Sequence, residues 1–213
     1  LLTDSMEVDS VYHIMIQQPI KSCWKEGFIN DISLNFSLPS IPKVADLVIN
    51  EILFDPDASG SDFIEILNNT DKYFNLRKMK FGSLDEKGNI VDLHFLSKQD
   101  RLLHPFETVA FTEDVAWVKQ QFYNSGNVIF SKLPSCNNLE DNILLISNQG
   151  NIIDSLSYFD TWHYNELNST ENISLERICP NKSNVATNWF SASSISGYGT
   201  PGLPNSRKRK VTE

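Results

Sequence analysis

The sequence has few cysteines and no long apolar run, and both features restrict what the chain can be. Its three cysteines form no CxxC pair, which argues against a structural zinc site. No apolar stretch approaches the ~20 residues of a membrane-spanning helix, so no membrane insertion is expected. The chain begins without Met and without the basic and apolar regions of a signal peptide. We therefore interpret it as part of a longer protein, with any targeting signal upstream of residue 1.

The odd number of cysteines leaves two interpretations open. A disulfide between Cys136 and Cys179 would suit an exported protein. The alternative is that these two and Cys23 are small buried thiols, which the usual burial of free cysteine favours.

The charge is acidic, because 27 Asp and Glu residues outnumber 18 Lys and Arg residues and give a net charge of −9. Binding to nucleic acid depends mainly on neutralising phosphates, so a nucleic-acid partner is not expected. The C-terminal SRKRKVTE has the composition of a nuclear localisation signal. A solvated basic terminus is the alternative that we favour.

The sequence lacks the common catalytic motifs. It has no G-x-S-x-G turn and no HExxH spacing, and its four histidines, His13, His94, His104 and His163, are scattered. His163 in TWHYNE has Trp162, Tyr164 and Glu166 nearby, but no second titratable partner for acid–base catalysis is evident. We interpret His163 as a partly exposed loop residue. No catalytic, cofactor-binding or metal-binding residue is predicted, and the chain is not expected to be an enzyme.

Alternating apolar residues predict β-strands near the N-terminus. In VYHIMIQQ, the residues Tyr12, Ile14 and Ile16 share one face under a period of two. INDISLNFSL repeats this pattern with Ile32, Leu34, Phe36 and Leu38. This region is too short for a core of its own. It would form either the closing strands of an upstream domain or a hairpin that packs on the downstream part of the chain.

From Asp46 onward, short strand patterns separated by turn signals predict an antiparallel β-sandwich. DLVINEILF is apolar on both faces and is expected to be a central strand. LDEKGN and NQGN are predicted hairpin turns. Helical spacing occurs only in DVAWVKQQF, at Val115, Val118 and Phe122, with Asp114 or Thr112 as the N-cap. The predicted fold class is all-β, with at most one short helix.

The segment FDPDASGSDFIEI groups oxygen-bearing side chains around a glycine. It begins like an EF-hand calcium loop, but Ile66 occupies the twelfth position, where such a loop needs a carboxylate. We therefore predict a strand connection in which Asp and Ser side chains bond to backbone amides and Gly60 takes a positive φ. A looser calcium site formed by Asp55, Asp57 and Asp62 is the alternative.

Two charged residues lie inside otherwise apolar strand patterns: Glu65 in DFIEILN and Arg177 in SLERIC. Buried charges require partners, and an Arg side chain can donate two hydrogen bonds to one carboxylate. The two residues are expected either to pair with each other or to point to water. Glu176 is a competing partner for other cations.

Several separate motifs occur in an order that resembles a known family. LVINEILFDP precedes DFIEILNNTDKYFNL, and YFDTWHYNEL, SLER, NW and GYGTPGLPNS lie far downstream. Over about residues 46–206, this order is similar to lamin tail domains, specifically to the bacterial branch found in exported proteins. The resemblance implies an immunoglobulin-like β-sandwich that often follows another immunoglobulin-like domain.

The expected organisation is a remnant of an upstream immunoglobulin-like domain plus a linker at 1–44, a lamin-tail-like sandwich at 45–206 and a basic tail at 207–213. The expected function is a non-catalytic structural or binding module of a larger exported or cell-surface protein, with protein, glycan or another domain as partner. The alternative is an accessory domain of an exported hydrolase or nuclease, which would bind substrate through Trp162, Tyr164 and Tyr198. A sandwich does not specify function by itself.

Overall fold

The computed structural model describes residues 5–16, 20–21, 28–29 and 32–207. Within these ranges the chain forms sixteen strands, one α-helix, α1 (Val115–Gln121), and three short 3₁₀ turns. The strands are β1 (Val11–Ile16), β2 (Ile20–Lys21), β3 (Phe28–Ile29), β4 (Ile32–Ser37), β5 (Leu47–Leu53), β6 (Phe63–Asn68), β7 (Phe74–Asn75), β8 (Lys80–Leu84), β9 (Ile90–Phe95), β10 (Leu102–Leu103), β11 (Thr108–Thr112), β12 (Val128–Phe130), β13 (Glu140–Ile146), β14 (Ile152–Phe159), β15 (Leu175–Arg177) and β16 (Trp189–Ser191).

Two sheets pack face to face. The larger sheet has the strand order β12–β11–β6–β5–β15–β16, and the smaller sheet has the order β14–β13–β8–β9. Within them, neighbouring strands are antiparallel except for β11 and β12. Apolar side chains from both sheets form one buried core, including Ile49, Ile64 and Phe111 from the larger and Phe81 and Leu145 from the smaller. The predicted antiparallel β-sandwich is confirmed.

The two central strands of the larger sheet, β5 and β6, are buried along their whole length. Their inner side chains join the core between the sheets. On the outer side, Leu53 and Phe63 pack against Val118 and Phe122 at the helix α1. A strand covered on both faces needs apolar residues at successive positions. This explains why LVINEIL is apolar at five of its seven positions.

The helix α1 lies where the helical spacing predicts it. Its N-cap is Asp114, whose carboxylate accepts the Trp117 N–H at 2.9 Å. Thr112 assists, because its hydroxyl oxygen accepts the Asp114 N–H at 3.2 Å. Within the described residues, no helix has the length and apolar character needed to cross a membrane.

Both predicted hairpin turns are confirmed. Asp85 begins the turn between β8 and β9, and its carboxylate accepts the N–H groups of Lys87 and Asn89. Gly88 in that turn has a φ of 78°. Between β13 and β14, Gly150 has a φ of 88°. Glycine adopts such left-handed angles without a Cβ penalty.

The predicted N-terminal strands β1 and β4 pair with each other, and Tyr12 faces Phe36 across the pair. The next part of the chain reaches the sandwich, because the Ser40 N–H donates to the Tyr73 carbonyl at 2.7 Å. The Asp9 carboxylate accepts both the Ser40 hydroxyl and the Tyr73 N–H. The division of the chain near residue 44 stays a prediction, and Cys23 lies outside the described residues.

Candidate functional site

The carboxylates of the DPDASGSD connection bond within the protein. The Asp57 carboxylate accepts the Ser59 N–H at 2.9 Å and the Ser59 hydroxyl at 2.7 Å, which closes a local turn. The Asp55 carboxylate accepts the Asn138 amide at 2.6 Å and the Thr170 hydroxyl at 2.8 Å. The Asp57 contacts turn the chain, as the sequence predicts. The Asp55 contacts connect this segment to the loops that contain Asn138 and Thr170.

The prediction that Gly60 takes a positive φ is wrong. Gly60 is not among the described residues with positive φ. A Cβ at this position would lie 2.6 Å from Cζ2 of Trp117 and 2.7 Å from Cβ of Pro56. The glycine is therefore required by a close approach of neighbouring side chains. Asp62 lies apart from the turn hydrogen bonds, and burial, with the charges of Asp55 and Glu113, raises its pKa to about 7.

His163 is buried, contrary to the predicted exposed loop position. It is 5 % exposed, its ring lies 5.5 Å from the Phe54 ring, and Nδ1 is 2.9 Å from the Ser191 hydroxyl oxygen. Burial lowers the pKa of His163 to about 4, so its imidazole is neutral at pH 7. Trp162 also packs against the core, whereas Tyr164 is exposed. Trp162 remains partly exposed, so the expected aromatic binding surface stays a prediction.

Three glutamates lie side by side on the outer face of the larger sheet. Glu51 on β5 is opposite Glu65 on β6 and also opposite Glu176 on β15. Directly opposed residues share one face of a sheet. All three side chains are at most 1 % exposed. A β-bulge at Asn50 sets this register, because it turns Glu51 outward while Ile49 stays in the core.

The C-terminal segment 197–206 covers these carboxylates. Glu51 accepts the Ser174 hydroxyl at 2.5 Å and the Thr200 N–H at 2.8 Å. Glu65 accepts the Gly202 N–H at 2.6 Å. Glu176 accepts both the N–H and the hydroxyl of Ser206. Asn50 and Asn205 complete the cluster, since their side-chain amides bond to each other at 2.6 Å. We call this set of residues the glutamate cluster.

The position of one hydroxyl assigns a proton within the glutamate cluster. The Thr200 hydroxyl oxygen is 2.9 Å from Glu51 Oε2 and 2.8 Å from Glu176 Oε1. A hydroxyl has one hydrogen to donate, so it cannot serve two ionised carboxylates. Burial and the neighbouring Glu176 charge raise the pKa of Glu51 to about 8. Protonated Glu51 therefore donates to Thr200, which in turn donates to Glu176.

The expected Glu65–Arg177 pair does not form, and neither side chain points to water. Arg177 instead donates to Asp154 on β14, with Nη1 2.9 Å from Oδ2. Arg177 also donates to the Ile49 carbonyl at 3.1 Å, and the Asp154 carboxylate accepts the Ile49 N–H at 2.8 Å. The paired residues of β5 and β15 end at Glu51 and Glu176, so no residue of β15 pairs with Ile49. The Arg177–Asp154 ion pair instead supplies hydrogen-bond partners for the backbone N–H and carbonyl of Ile49.

Among the described cysteines, the buried-thiol alternative holds for Cys136, whereas Cys179 is only partly buried. Cys136 and Cys179 are both free thiols, so the candidate disulfide is not formed. Cys136 is buried in the core and burial raises its thiol pKa well above the usual value.

An open groove lies where the edge strands of the two sheets approach each other. β9 is the outermost strand of the smaller sheet, and β12 is the outermost strand of the larger sheet. The groove between them has a volume of about 550 Å³. Leu96 and Ile129 line its inner wall against the core. Leu93, Phe95 and Phe130 line it with exposed side chains, 45 %, 45 % and 65 % exposed respectively. We call this the edge groove.

The backbone of β9 turns hydrogen-bonding groups toward the edge groove. The Leu96 N–H donates inward to the Met79 carbonyl, so the Phe95 carbonyl of the same peptide unit points outward. There it accepts the Ser131 hydroxyl at 2.9 Å. The alternation of a β-strand directs the Phe95 N–H and the Leu93 carbonyl to the same outward side. These are the groups that an added strand would pair with.

The edge groove is cationic in an acidic protein. Lys98, Arg101 and Lys132 line it, and none of its described lining residues carries a carboxylate. Arg101 is held by the Asn127 side chain at 2.6 Å. Lys98 and Lys132 are exposed, and in the described part of the chain neither forms an ion pair. Two exposed, unneutralised ammonium groups thus flank an apolar surface.

Comparison with protein families identifies the sandwich. The model of the Lamin Tail Domain family matches residues 41–160, which is more than half of the chain. The chain belongs to the lamin tail domain family. No curated protein matches the sequence significantly. Lamin tail domains are non-enzymatic and immunoglobulin-like, which agrees with the predicted fold and family.

The motifs that carry the resemblance meet in the glutamate cluster of this lamin tail domain. Asn50 and Glu51 come from LVINEILFDP, Glu65 from DFIEILNN, and Glu176 from SLER. The covering segment, residues 197–206, is GYGTPGLPNS. The charged residues of these motifs therefore hold the C-terminal segment on the sheet. Their role is structural, because their side chains are buried and bonded to one another and to the backbone.

Sequence reasoning missed the edge groove of the lamin tail domain. IVDLHF follows the predicted hairpin turn LDEKGN and was therefore expected to be a strand. In β5, apolar residues at successive positions reflect a strand that is covered on both faces. In β9 the same pattern occurs at an edge, where Ile90, Val91, Leu93 and Phe95 are all exposed. The signal was the apolar character of IVDLHF itself, but only the strand order shows that no further strand of the described chain pairs with its outer edge, which is contacted by Ser131 and Ser135.

Proposed function

We propose that this lamin tail domain is a non-catalytic module that binds a polypeptide of another protein or domain in the edge groove. The observation that carries the proposal is the combination, along β9, of exposed apolar side chains with outward backbone groups. Edge strands in stable proteins are usually protected by charges, prolines or covering segments. β9 has a β-bulge at Asp92 and accepts the Ser131 hydroxyl at Phe95, but no strand of the described chain pairs with its outer edge. An apolar edge of this kind is a recognised site for strand addition by a partner.

The glutamate cluster supports the non-catalytic part of this proposal. Its carboxylates are covered by residues 197–206 and have hydrogen-bond partners within the protein. A general acid or base must reach a bound substrate. These buried side chains bond to the covering segment, to Ser174 and to Asn50, and His163 contacts Ser191 and Phe54.

The setting in a larger exported protein is also part of the proposal. Its support is the similarity of YFDTWHYNEL, SLER and GYGTPGLPNS to the bacterial, exported branch. A protein partner is favoured over a glycan because the groove offers hydrogen-bonding backbone and apolar side chains, and its described lining contains no Trp or Tyr.

Selection from a displayed library of random peptides tests the binding function. The wild-type domain is the bait, and recovered peptides are measured against the variants Phe130→Asp and Ile195→Asp by fluorescence anisotropy. Both positions are exposed apolar residues, but Ile195 lies in a 3₁₀ turn that does not line the groove. We expect the recovered peptides to lose binding to Phe130→Asp and to keep it for Ile195→Asp. Peptides that bind both variants as well as wild type would contradict the proposal.

A further inference from the structure

The chemistry of the edge groove specifies its ligand more narrowly. Resting on the proposed function, we propose that the groove takes an extended segment of a partner protein in which apolar side chains alternate with Asp or Glu. The backbone of this segment pairs with β9, its apolar side chains cover Leu93, Phe95 and Phe130, and its carboxylates lie near Lys98 and Lys132.

The extended conformation follows from the backbone groups of β9. The Phe95 N–H and the Leu93 carbonyl point to the groove from positions two residues apart. A residue in β conformation presents one N–H and one C=O on the same side of its strand, which matches this spacing. A helix uses its own backbone hydrogen bonds internally and has no such groups to offer.

The alternation follows from the side chains on either side of that backbone. Successive residues of a strand point to opposite faces, so one face of the added segment can be apolar while the other is charged. Leu93 and Phe95, two residues apart on β9, stand at the spacing of every second ligand residue. Lys80 lies over the Phe95 ring, with Nζ 5.0 Å from the ring centroid, and so places a further cation beside the exposed apolar side chains of β9.

The preference for acidic residues follows from local charge. The protein has a net charge of −9, which would repel an acidic ligand at long range. At physiological salt, however, the Debye length is only ~8 Å, so the nearest charges dominate. The cationic lining residues are Lys98, Arg101 and Lys132, and the Asp92 carboxylate, which bonds to the lining His94, opposes them. A second copy of this chain is disfavoured as the ligand, since pairing of two β9 strands would bring the two sets of lysines together.

Two peptides of matched length test the inference, acetyl-EVEFEVE-amide and acetyl-KVKFKVK-amide. Binding to the wild-type domain is measured by fluorescence anisotropy and by amide NMR shifts. We expect the acidic peptide to bind at least about tenfold more tightly, which corresponds to ~1.4 kcal/mol of charge preference. The NMR shifts should concentrate on β9 and on residues 129–132.

Charge-reversed variants give the matched control. Lys98→Glu/Lys132→Glu should weaken binding of the acidic peptide by about fivefold to tenfold, because each exposed charge pair contributes modestly. Lys87→Glu/Lys119→Glu carries the same net charge, changes exposed lysines outside the groove and should leave the affinity within about twofold. Equal weakening by both double variants would show a non-specific charge effect and overturn the inference.

N-methylation of the peptide tests the strand pairing. A methyl group on every second amide should abolish binding in one register and leave it nearly unchanged in the other, since only alternate N–H groups face β9. Equal tolerance of both patterns would exclude an extended, paired ligand.

The remaining outcomes separate the inference from the proposed function. Groove-dependent library peptides that are neutral, basic or helical, with no binding of EVEFEVE, would overturn the inference and leave the proposed function standing. Library peptides that ignore Phe130→Asp would overturn the proposed function. A wild-type dimer in sedimentation equilibrium that dissociates in Phe130→Asp would identify a second copy as the ligand and would also overturn the inference.

Discussion

The outer face of the larger sheet and the edge groove reverse the usual distribution of side chains. On the outer face, Glu51, Glu65 and Glu176 are excluded from water, although ionisable groups are rarely buried. In the groove, Leu93 and Phe130 are exposed. The buried carboxylates are all hydrogen-bonded, whereas in the described chain no strand pairs with the outer edge of the exposed apolar strand β9. Buried polar groups that are all hydrogen-bonded indicate a contact within the protein, and exposed apolar side chains on an edge strand indicate a contact with another molecule.

This comparison assigns different tasks to the two regions. The glutamate cluster holds segment 197–206 against β5, β6 and β15, so it stabilises one particular arrangement of the chain. Variants there should change the free energy of unfolding. Variants of exposed groove side chains should change binding and leave the free energy of unfolding nearly constant.

The largest effect is expected for Arg177→Met, beside the glutamate cluster. The substitution leaves the Asp154 carboxylate with 13 % exposure and no cationic partner, and it also removes the donor to the Ile49 carbonyl. Breaking a buried ion pair in this way costs about 3–5 kcal/mol. Urea unfolding of the wild type and of Arg177→Met measures the difference.

The double variant Asp154→Leu/Arg177→Met provides the control. Removing both charges should recover part of the loss, because no uncompensated carboxylate is then buried. Strictly additive losses of stability would show that the two residues do not interact and would contradict a stabilising role for this ion pair.

The second prediction concerns pH and Glu51. Its folded pKa of about 8 lies above the ordinary value of 4.5, so between these pH values the folded state holds a proton that the unfolded state has released. The stability from this group is therefore complete below pH 4.5 and is lost as pH rises through about 8. The expected slope is about −1.4 kcal/mol per pH unit within that window.

Glu51→Gln should remove this slope. A Gln amide can donate to the Thr200 hydroxyl as the protonated acid does, while its oxygen accepts from Ser174 and the Thr200 N–H. The difference between variant and wild type cancels the titrations of His163 and Asp62. Urea unfolding at several pH values between 5 and 8 gives both curves, and parallel curves would contradict the assigned proton.

The third prediction isolates the close packing of the covering segment. Gly202 and Gly88 both have a φ of 78°, but a Cβ at Gly202 would lie 2.3 Å from the Asn127 nitrogen, whereas nothing lies within 4 Å of one at Gly88. Gly88→Ala should cost only the left-handed backbone penalty of about 1–2 kcal/mol. Gly202→Ala should cost about 1–3 kcal/mol more, because the backbone must shift and the Gly202 N–H bond to Glu65 is disturbed.

Thermal unfolding of the two alanine variants compares them directly. Equal losses of stability would mean that segment 197–206 can shift to accommodate a Cβ at Gly202, and that its packing on the outer face is not tight.

The sequence predicted the longer strands, the hairpins and the helix because these depend on local periodicity and capping, but it did not predict the short strands β10, β12 and β16. It predicted the burial of β5, since seven consecutive positions with few charges indicate cover on both faces. It did not predict the partner of Arg177, because Asp154 lies 23 residues away and the contact depends on how the two sheets close. The same applies to His163, whose burial depends on Phe54 and Ser191.

The edge groove was not predictable for a related reason. An apolar strand pattern shows how many faces of a strand are hydrophobic, but strand order is a property of the whole chain. β5 and β9 have similar apolar patterns and opposite positions, one central and one at an edge. Sequence periodicity therefore identified both strands, and only the strand order distinguished internal burial from a surface for a partner.

The smallest effect on stability is expected within β12, where the comparison can be made between neighbours. Val128 is 6 % exposed and packs with the helix side of the sheet, whereas Phe130 is 65 % exposed and lines the groove. Val128→Ala should lower the free energy of unfolding by about 2 kcal/mol through lost burial. Phe130→Ala removes a larger side chain but should change it by less than about 0.5 kcal/mol, since exposed positions contribute little. Urea unfolding of both variants decides. A loss at Phe130 as large as that at Val128 would mean that its ring already packs against the domain, and the groove would then have no free apolar surface to offer a partner.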